Sequence, residues 1–150
     1  MRFLLLCFVF AFFQTQATAS GKNPLPSPPD LSRNEAQAVV ILFSLPDCAF
    51  CVQLRKHTLM HLESDPRYRG KLQAYEVSFG ENSTTEVTWF DSRKYTGTVL
   101  AKRLGVVFSP TVLVFDRSGR LAGKPLLGAG LPEFYGAYLD ELIQRAWHGP

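Results

Sequence analysis

One short stretch, AVVILFS from Ala38 to Ser44, constrains the fold of this chain more than any other. It is a continuous apolar run, rich in β-branched residues and closed by a turn signal. A half-buried strand would alternate apolar with polar. This one leaves no face for water, so it reads as a strand covered on both sides. Such a strand belongs in the middle of a sheet, with helices or loops packed above and below it.

The rest of the pattern supplies those neighbours. Leu45-Pro46-Asp47 breaks the run, and a helix is predicted from Cys48 to about Glu63 with Asp47 as its N-cap. Val52, Leu54, Leu59, Met60 and Leu62 give that helix an imperfect apolar stripe. LQAYEVSF (72–79) alternates and reads as a second strand. Residues 81–85 are turn-like, and 98–104 read as a short helix ended by Gly105. TVLVF (111–115) is a third strand. A turn at Asp116–Gly119 leads to a fourth strand over 120–127, making a hairpin. After Gly128-Ala129-Gly130, residues 131–147 form an amphipathic helix with Phe134, Tyr138, Leu139, Leu142 and Ile143 on its apolar side. Leu31 to Gln37 is a candidate short helix. The first half needs a parallel crossover and the second an antiparallel hairpin. One α/β domain satisfies both, with a mixed sheet of about four strands flanked by helices.

Composition agrees with a single domain. The chain has 150 residues, 46% of them hydrophobic and 19% charged, which is globular rather than disordered. A net charge of +3, dispersed along the chain, gives no footprint for nucleic acid. Three cysteines are too few for a stapled mini-protein or a four-cysteine metal site.

The N-terminus, MRFLLLCFVFAFFQTQATAS, carries one early positive charge at Arg2 and an apolar run from Leu4 to Phe13. The small-residue pattern Ala17-Thr18-Ala19 follows. This reads as a secretory signal peptide over residues 1–19, cleaved after Ala19. The apolar run is about half the roughly 20 residues that a spanning helix requires. Export is therefore expected, to the periplasm in a Gram-negative cell. Residues 20–36, beginning SGKNPLPSPPD, read as a flexible leader, and 37–150 as the domain.

Cleavage would remove Cys7 and leave only Cys48 and Cys51. A bridge across two residues removes little chain entropy, so this pair is a poor structural staple. Its placement suits chemistry instead. Residues three apart share a helical face at about 5–6 Å between Cβ atoms, within adjustment of a disulfide. Cys48 lies in the first turn, where free backbone N–H groups and the helix dipole favour thiolate, the nucleophile of disulfide exchange. Cys51, one turn deeper, is the natural resolving thiol. Ser109-Pro110 precedes the third strand. A cis bond there would leave the Ser109 backbone free to pair with an extended substrate segment.

Taken together, strand–CxxC–helix, Ser109-Pro110-Thr111, the VLVFDRSG hairpin and Leu127-Gly128-Ala129-Gly130 before a last helix resemble the thioredoxin family over residues 37–146. The likeness is nearest to exported bacterial members with an aromatic before the second cysteine, such as the SoxW-like group. The resemblance implies a thioredoxin-like fold and thiol–disulfide exchange with protein thiols and disulfides, without a cofactor. It implies Cys48 as attacking and Cys51 as resolving cysteine, and Pro110 as the cis-proline. Substrate contacts would come from Ser109, Pro110, Ala49 and Phe50. A monomer is the default, since no dimerisation segment is evident.

The departures carry information. Ala49-Phe50 replaces both the Gly-Pro of cytoplasmic members and the Pro-His of strong oxidants. Leu42 stands where cytoplasmic thioredoxins carry a buried Asp. Glu76 could serve as proton acceptor if it points toward Cys51; otherwise it is an outward-facing strand residue. No cation adjoins Cys48, and Asp47 opposes the dipole, so its thiolate is less stabilised and its disulfide less oxidising. That favours a reductant or electron shuttle, fed by a membrane donor. Two alternatives stand beside it: a disulfide oxidase or isomerase, and a metallochaperone holding copper or zinc through the cysteines. His57 and His61 could share a helical face and bind metal, although isolated surface histidines are commoner. Asn82-Ser83-Thr84 matches the glycosylation pattern, relevant only in a eukaryotic secretory pathway. Trp89, Phe90 and Tyr95 either form a docking patch or cover the core edge. Arg93, Lys94, Lys102 and Arg103 read as a solvated face.

Overall fold

The computed structural model describes residues 25–149, without the side chains of Pro132 and Glu133. The signal-peptide reading and Cys7 lie outside the described residues. In chain order the elements are β1 (Ala38–Ser44), α1 (Ala49–His57), β2 (Leu72–Ser78), β3 (Glu86–Thr88), β4 (Lys94–Thr96), α2 (Gly97–Arg103), β5 (Thr111–Asp116), β6 (Leu126–Leu127) and α3 (Pro132–His148). Short 3-10 turns occupy Leu31–Arg33 and Leu59–His61.

β1 is buried at all seven positions and lies inside a four-stranded sheet ordered β2-β1-β5-β6. It runs parallel to β2 and antiparallel to β5, which pairs antiparallel with β6. The alternation of side chains along β1 divides the core in two. Val40 and Leu42 pack with Leu54 of α1 and with Leu139 and Ile143 of α3. Val39, Ile41 and Phe43 pack on the other face with Leu100 of α2, Trp89 and Phe115. A strand with no polar face is thus covered on both, as its composition demands.

Four boundaries differ from expectation. α1 stops at His57 instead of running to Glu63, and Cys48 rather than Asp47 is its N-cap. Arg55, Lys56 and His57 occupy its last turn, where cations complement the C-terminal dipole. Thr58, a β-branched residue at φ −129°, ends the helix, so His57 and His61 do not share one continuous helical face. The strand expected over 120–127 shrinks to Leu126–Leu127 and one bridge from Leu121 to Phe115, because Pro125 cannot donate to a ladder. The segment between β2 and α2 contains the β3–β4 hairpin, turning through Ser92 at φ 62°. Trp89 is buried against Phe90 and Phe115, so the hairpin covers the core edge.

The fourth difference concerns the leader. From Leu25 onward it is docked on the domain. Pro26 O accepts from Glu76 N at 3.0 Å, Asp30 bridges Thr88, and Leu31 is 1% exposed. The leader occupies the outer edge of β2, whose backbone groups would otherwise be unpaired there. The candidate helix over 31–37 is only the 3-10 turn, capped by the Asp30 carboxylate accepting from Ser32 N.

Candidate active site

β1 delivers the chain to the N-terminus of α1 through Leu45-Pro46-Asp47, with Asp47 in the left-handed region at φ 56°. That turn sets Cys48 in the cap position. Its Sγ accepts a hydrogen bond from Cys51 N at 3.1 Å, the bond a capping oxygen would ordinarily take. The two cysteines are joined in a disulfide, with Cα atoms 5.2 Å apart. They differ in access. Cys48 is half-buried, whereas Cys51 is 1% exposed within the core face shared with α3. Ala49 and Phe50 are exposed at the top of the helix, Phe50 by 63%.

The segment before β5 closes over the pair. The Ser109–Pro110 peptide bond is cis. Ser109 Oγ accepts from Leu45 N at 2.9 Å and stands 3.1 Å from Cys51 Sγ and 3.3 Å from Cys48 Sγ. Among the described residues, no other backbone group bonds the Ser109 N–H or carbonyl. Val107 and Phe108, 74% and 62% exposed, extend the apolar rim.

Beneath the pair lies a buried charge. Glu76 pairs across the ladder with Leu42, so both side chains lie on the same face of the sheet as Cys51. Glu76 is therefore inward, not outward. Its Oε1 accepts from Ser44 Oγ and from Arg55 Nη1, each at 2.5 Å, and Oε2 has no partner among the described residues. Arg55 comes from α1, one turn after Cys51, and both side chains of this ion pair are about nine-tenths buried. A cavity of about 680 Å³ reaches from the disulfide to Ser44, Arg55 and Glu76, and Pro26 of the leader helps to wall it.

The thioredoxin-like domain family matches residues 30–142, most of the chain. The chain belongs to that family. No curated protein matches the sequence. Among solved structures, thioredoxin Mala s 13 of Malassezia sympodialis is similar, at 18% identity and TM-score 0.49, covering 81% of this chain and 79% of that one. A second comes from work on thiol resolution in yeast mitochondrial 1-Cys peroxiredoxin via glutathione/thioredoxin systems. It matches at 16% identity and TM-score 0.47, covering 71% and 80%. This thioredoxin-like protein carries the CxxC pair of a thiol–disulfide oxidoreductase. The structure brings all the sequence-predicted residues, Cys48, Ala49, Phe50, Cys51, Glu76, Ser109 and Pro110, to one end of the sheet.

Three groups of the candidate site escaped the sequence reading. Arg55 sits on the buried face with Cys51 and Leu54, and a cation at that spacing was a usable signal. Ser44 closes a wholly apolar strand, which also marks it. The Ser109 side chain gave no signal, because its contacts are set by the fold of distant segments. Among the described residues, no cluster of three or more His, Cys, Asp or Glu is placed to hold a metal ion. His61 Nε2 instead contacts the Lys56 carbonyl at 3.1 Å.

Proposed function

We propose that this protein is exported and exchanges disulfides with other proteins, acting as a reductant or electron shuttle. The observation that carries the reading is the inequality of the two sulfurs. Cys48 is reachable and capped by a backbone N–H at a helix N-terminus; Cys51 is sealed one turn below. Both the N–H and the dipole favour negative charge at Cys48.

In the reducing direction, the Cys48 thiolate attacks a partner disulfide. A Cys48–partner bond forms, the partner S–S bond breaks, and one partner sulfur leaves as thiolate to be protonated. Cys51 then loses its proton and attacks Cys48. The protein disulfide forms and the second partner thiolate leaves. Two electrons pass from the protein to the partner, with no cofactor. The proton from Cys51 needs an acceptor, and Glu76 is the carboxylate on that face with an unused oxygen. The free backbone of Ser109 offers an extended partner segment a hydrogen-bonding edge beside the sulfurs. Phe50 and Ala49, both exposed, supply apolar contact around it, whereas Pro110 is itself buried. In an oxidising compartment, a reductant must be refilled, and a membrane donor is the reading that fits.

Trapping tests this. Cys51→Ser should hold partner proteins as mixed disulfides that release with reductant, and Cys48→Ser should hold none. Capture through Cys51 instead, or tight copper or zinc binding with no disulfide exchange, would overturn the reading. A potential far above that of thioredoxins would move it to oxidase or isomerase.

A further inference from the structure

The Ser109 side chain stands in a position its backbone role does not require. Its oxygen already accepts from Leu45 N at 2.9 Å. Its one O–H must therefore donate elsewhere, and a disulfide sulfur can only accept. Two such sulfurs lie within reach, Cys51 Sγ at 3.1 Å and Cys48 Sγ at 3.3 Å. One fixed hydroxyl with one proton faces both reacting atoms of the site.

We infer that Ser109 is a catalytic residue whose hydroxyl stabilises whichever cysteine sulfur carries negative charge, passing its hydrogen bond from Cys48 to Cys51 during the exchange. The inference rests on the exchange reaction proposed above. In the reduced protein, the O–H donates to the Cys48 thiolate and adds to the bond from Cys51 N. A donor favours the charged form, so it lowers the pH at which Cys48 ionises. When Cys48 bonds to the partner sulfur, its charge is gone and it becomes the weaker acceptor. Rotation about the Ser109 Cβ–Oγ bond turns the proton to Cys51, whose own proton leaves as its thiolate forms. Cys51 is the more buried of the two, and an unpaired charge there would be the costlier. The hydroxyl keeps its proton throughout. The Leu45 N–H holds the oxygen in place, so the switch needs no backbone movement.

Ser109→Ala keeps the main-chain atoms and removes this donor together with the acceptor of the Leu45 N–H. The thiolate fraction of Cys48 at neutral pH, followed by ultraviolet absorbance in the reduced protein, should fall roughly tenfold, as expected for losing a hydrogen bond to a charged group. Resolution of a preformed Cys48 mixed disulfide should slow by a similar factor. If alanine perturbs the fold, the near-isosteric pair Ser109→Thr and Ser109→Val makes the same comparison. Threonine should titrate near wild type and valine at higher pH. Identical titration of threonine and valine variants would overturn the inference. The titration needs no partner, so it stands apart from the reaction itself. A wild-type protein that ionises early but never exchanges disulfides would sink the proposed function and leave the hydroxyl's effect measurable.

Discussion

Glu76 occupies a strand position whose neighbours on the same face, Leu72 and Ala74, are apolar and buried. Its charge is tolerable there because Arg55 and Ser44 both donate to Oε1. Removing one partner of a buried pair strands the other, at about 3–5 kcal/mol. Glu76→Ala should therefore lower stability by roughly that amount in urea denaturation. Replacing Arg55 and Glu76 together with Met and Leu should cost less than the two single changes added, because no charge is left unpaired. Glu76→Gln separates folding from proton transfer. The amide oxygen can still accept from Arg55, so less stability is lost than in Glu76→Ala even though the guanidinium charge is left unpaired, and the amide is a poor base. Resolution of a trapped Cys48 mixed disulfide should slow at least tenfold while the first attack is unchanged. Resolution at the wild-type rate would remove Glu76 from the proton path.

At the scale of elements, the β5–β6 turn shows how a few hydrogen bonds make a pH response. Burial of the Asp116 carboxyl works to raise its pKa, but bonds from Ser118 Oγ, Arg120 and their backbone N–H groups outweigh it. The group sits below the usual carboxylate range. A carboxyl with a lower pKa in the folded state stabilises the fold above its unfolded pKa. That contribution fades as pH falls through the folded value. Asp116→Ala should cost about 1 kcal/mol at neutral pH from the lost bonds, with the difference from wild type shrinking in acid. A pH-independent difference in thermal unfolding would contradict this. The turn was legible because Asp-Arg-Ser-Gly has the chemistry of its own geometry, and Gly119 takes the positive φ of 82° it requires. The central strand was legible for the same reason: its composition states its burial. The β3–β4 hairpin was not, since three-residue strands leave no period to read. Nor was the docking of the leader, whose Pro-rich composition suggests flexibility while Leu25 and Leu31 anchor it. Within the site, sequence spacing located the cysteines. It could not show that Ser109 Oγ meets both sulfurs, because 58 and 61 residues separate those partners in the chain.

For the molecule as a whole, the compartment decides what the cysteine pair is for. Among the described residues no helix is long and apolar enough to cross a membrane. The N-terminal apolar run of the sequence is likewise about half of a span. If residues 1–19 are a cleaved signal, the exported chain begins at Ser20 and retains only Cys48 and Cys51, with no third thiol to scramble them. Intact-mass measurement on chain recovered from the exported fraction should then show a start at Ser20. An uncleaved chain held in the cytosol would overturn the export reading. The same sample reports the direction of electron flow. An oxidising surrounding drives the pair to the disulfide unless a donor refills it. Alkylation at the moment of lysis should find both cysteines blocked, hence reduced, when the cell supplies a membrane donor. Loss of that donor should leave them oxidised and unreactive. A pair oxidised under both conditions would mean that electrons enter the protein from its substrates, and the reductant reading would give way to the oxidase.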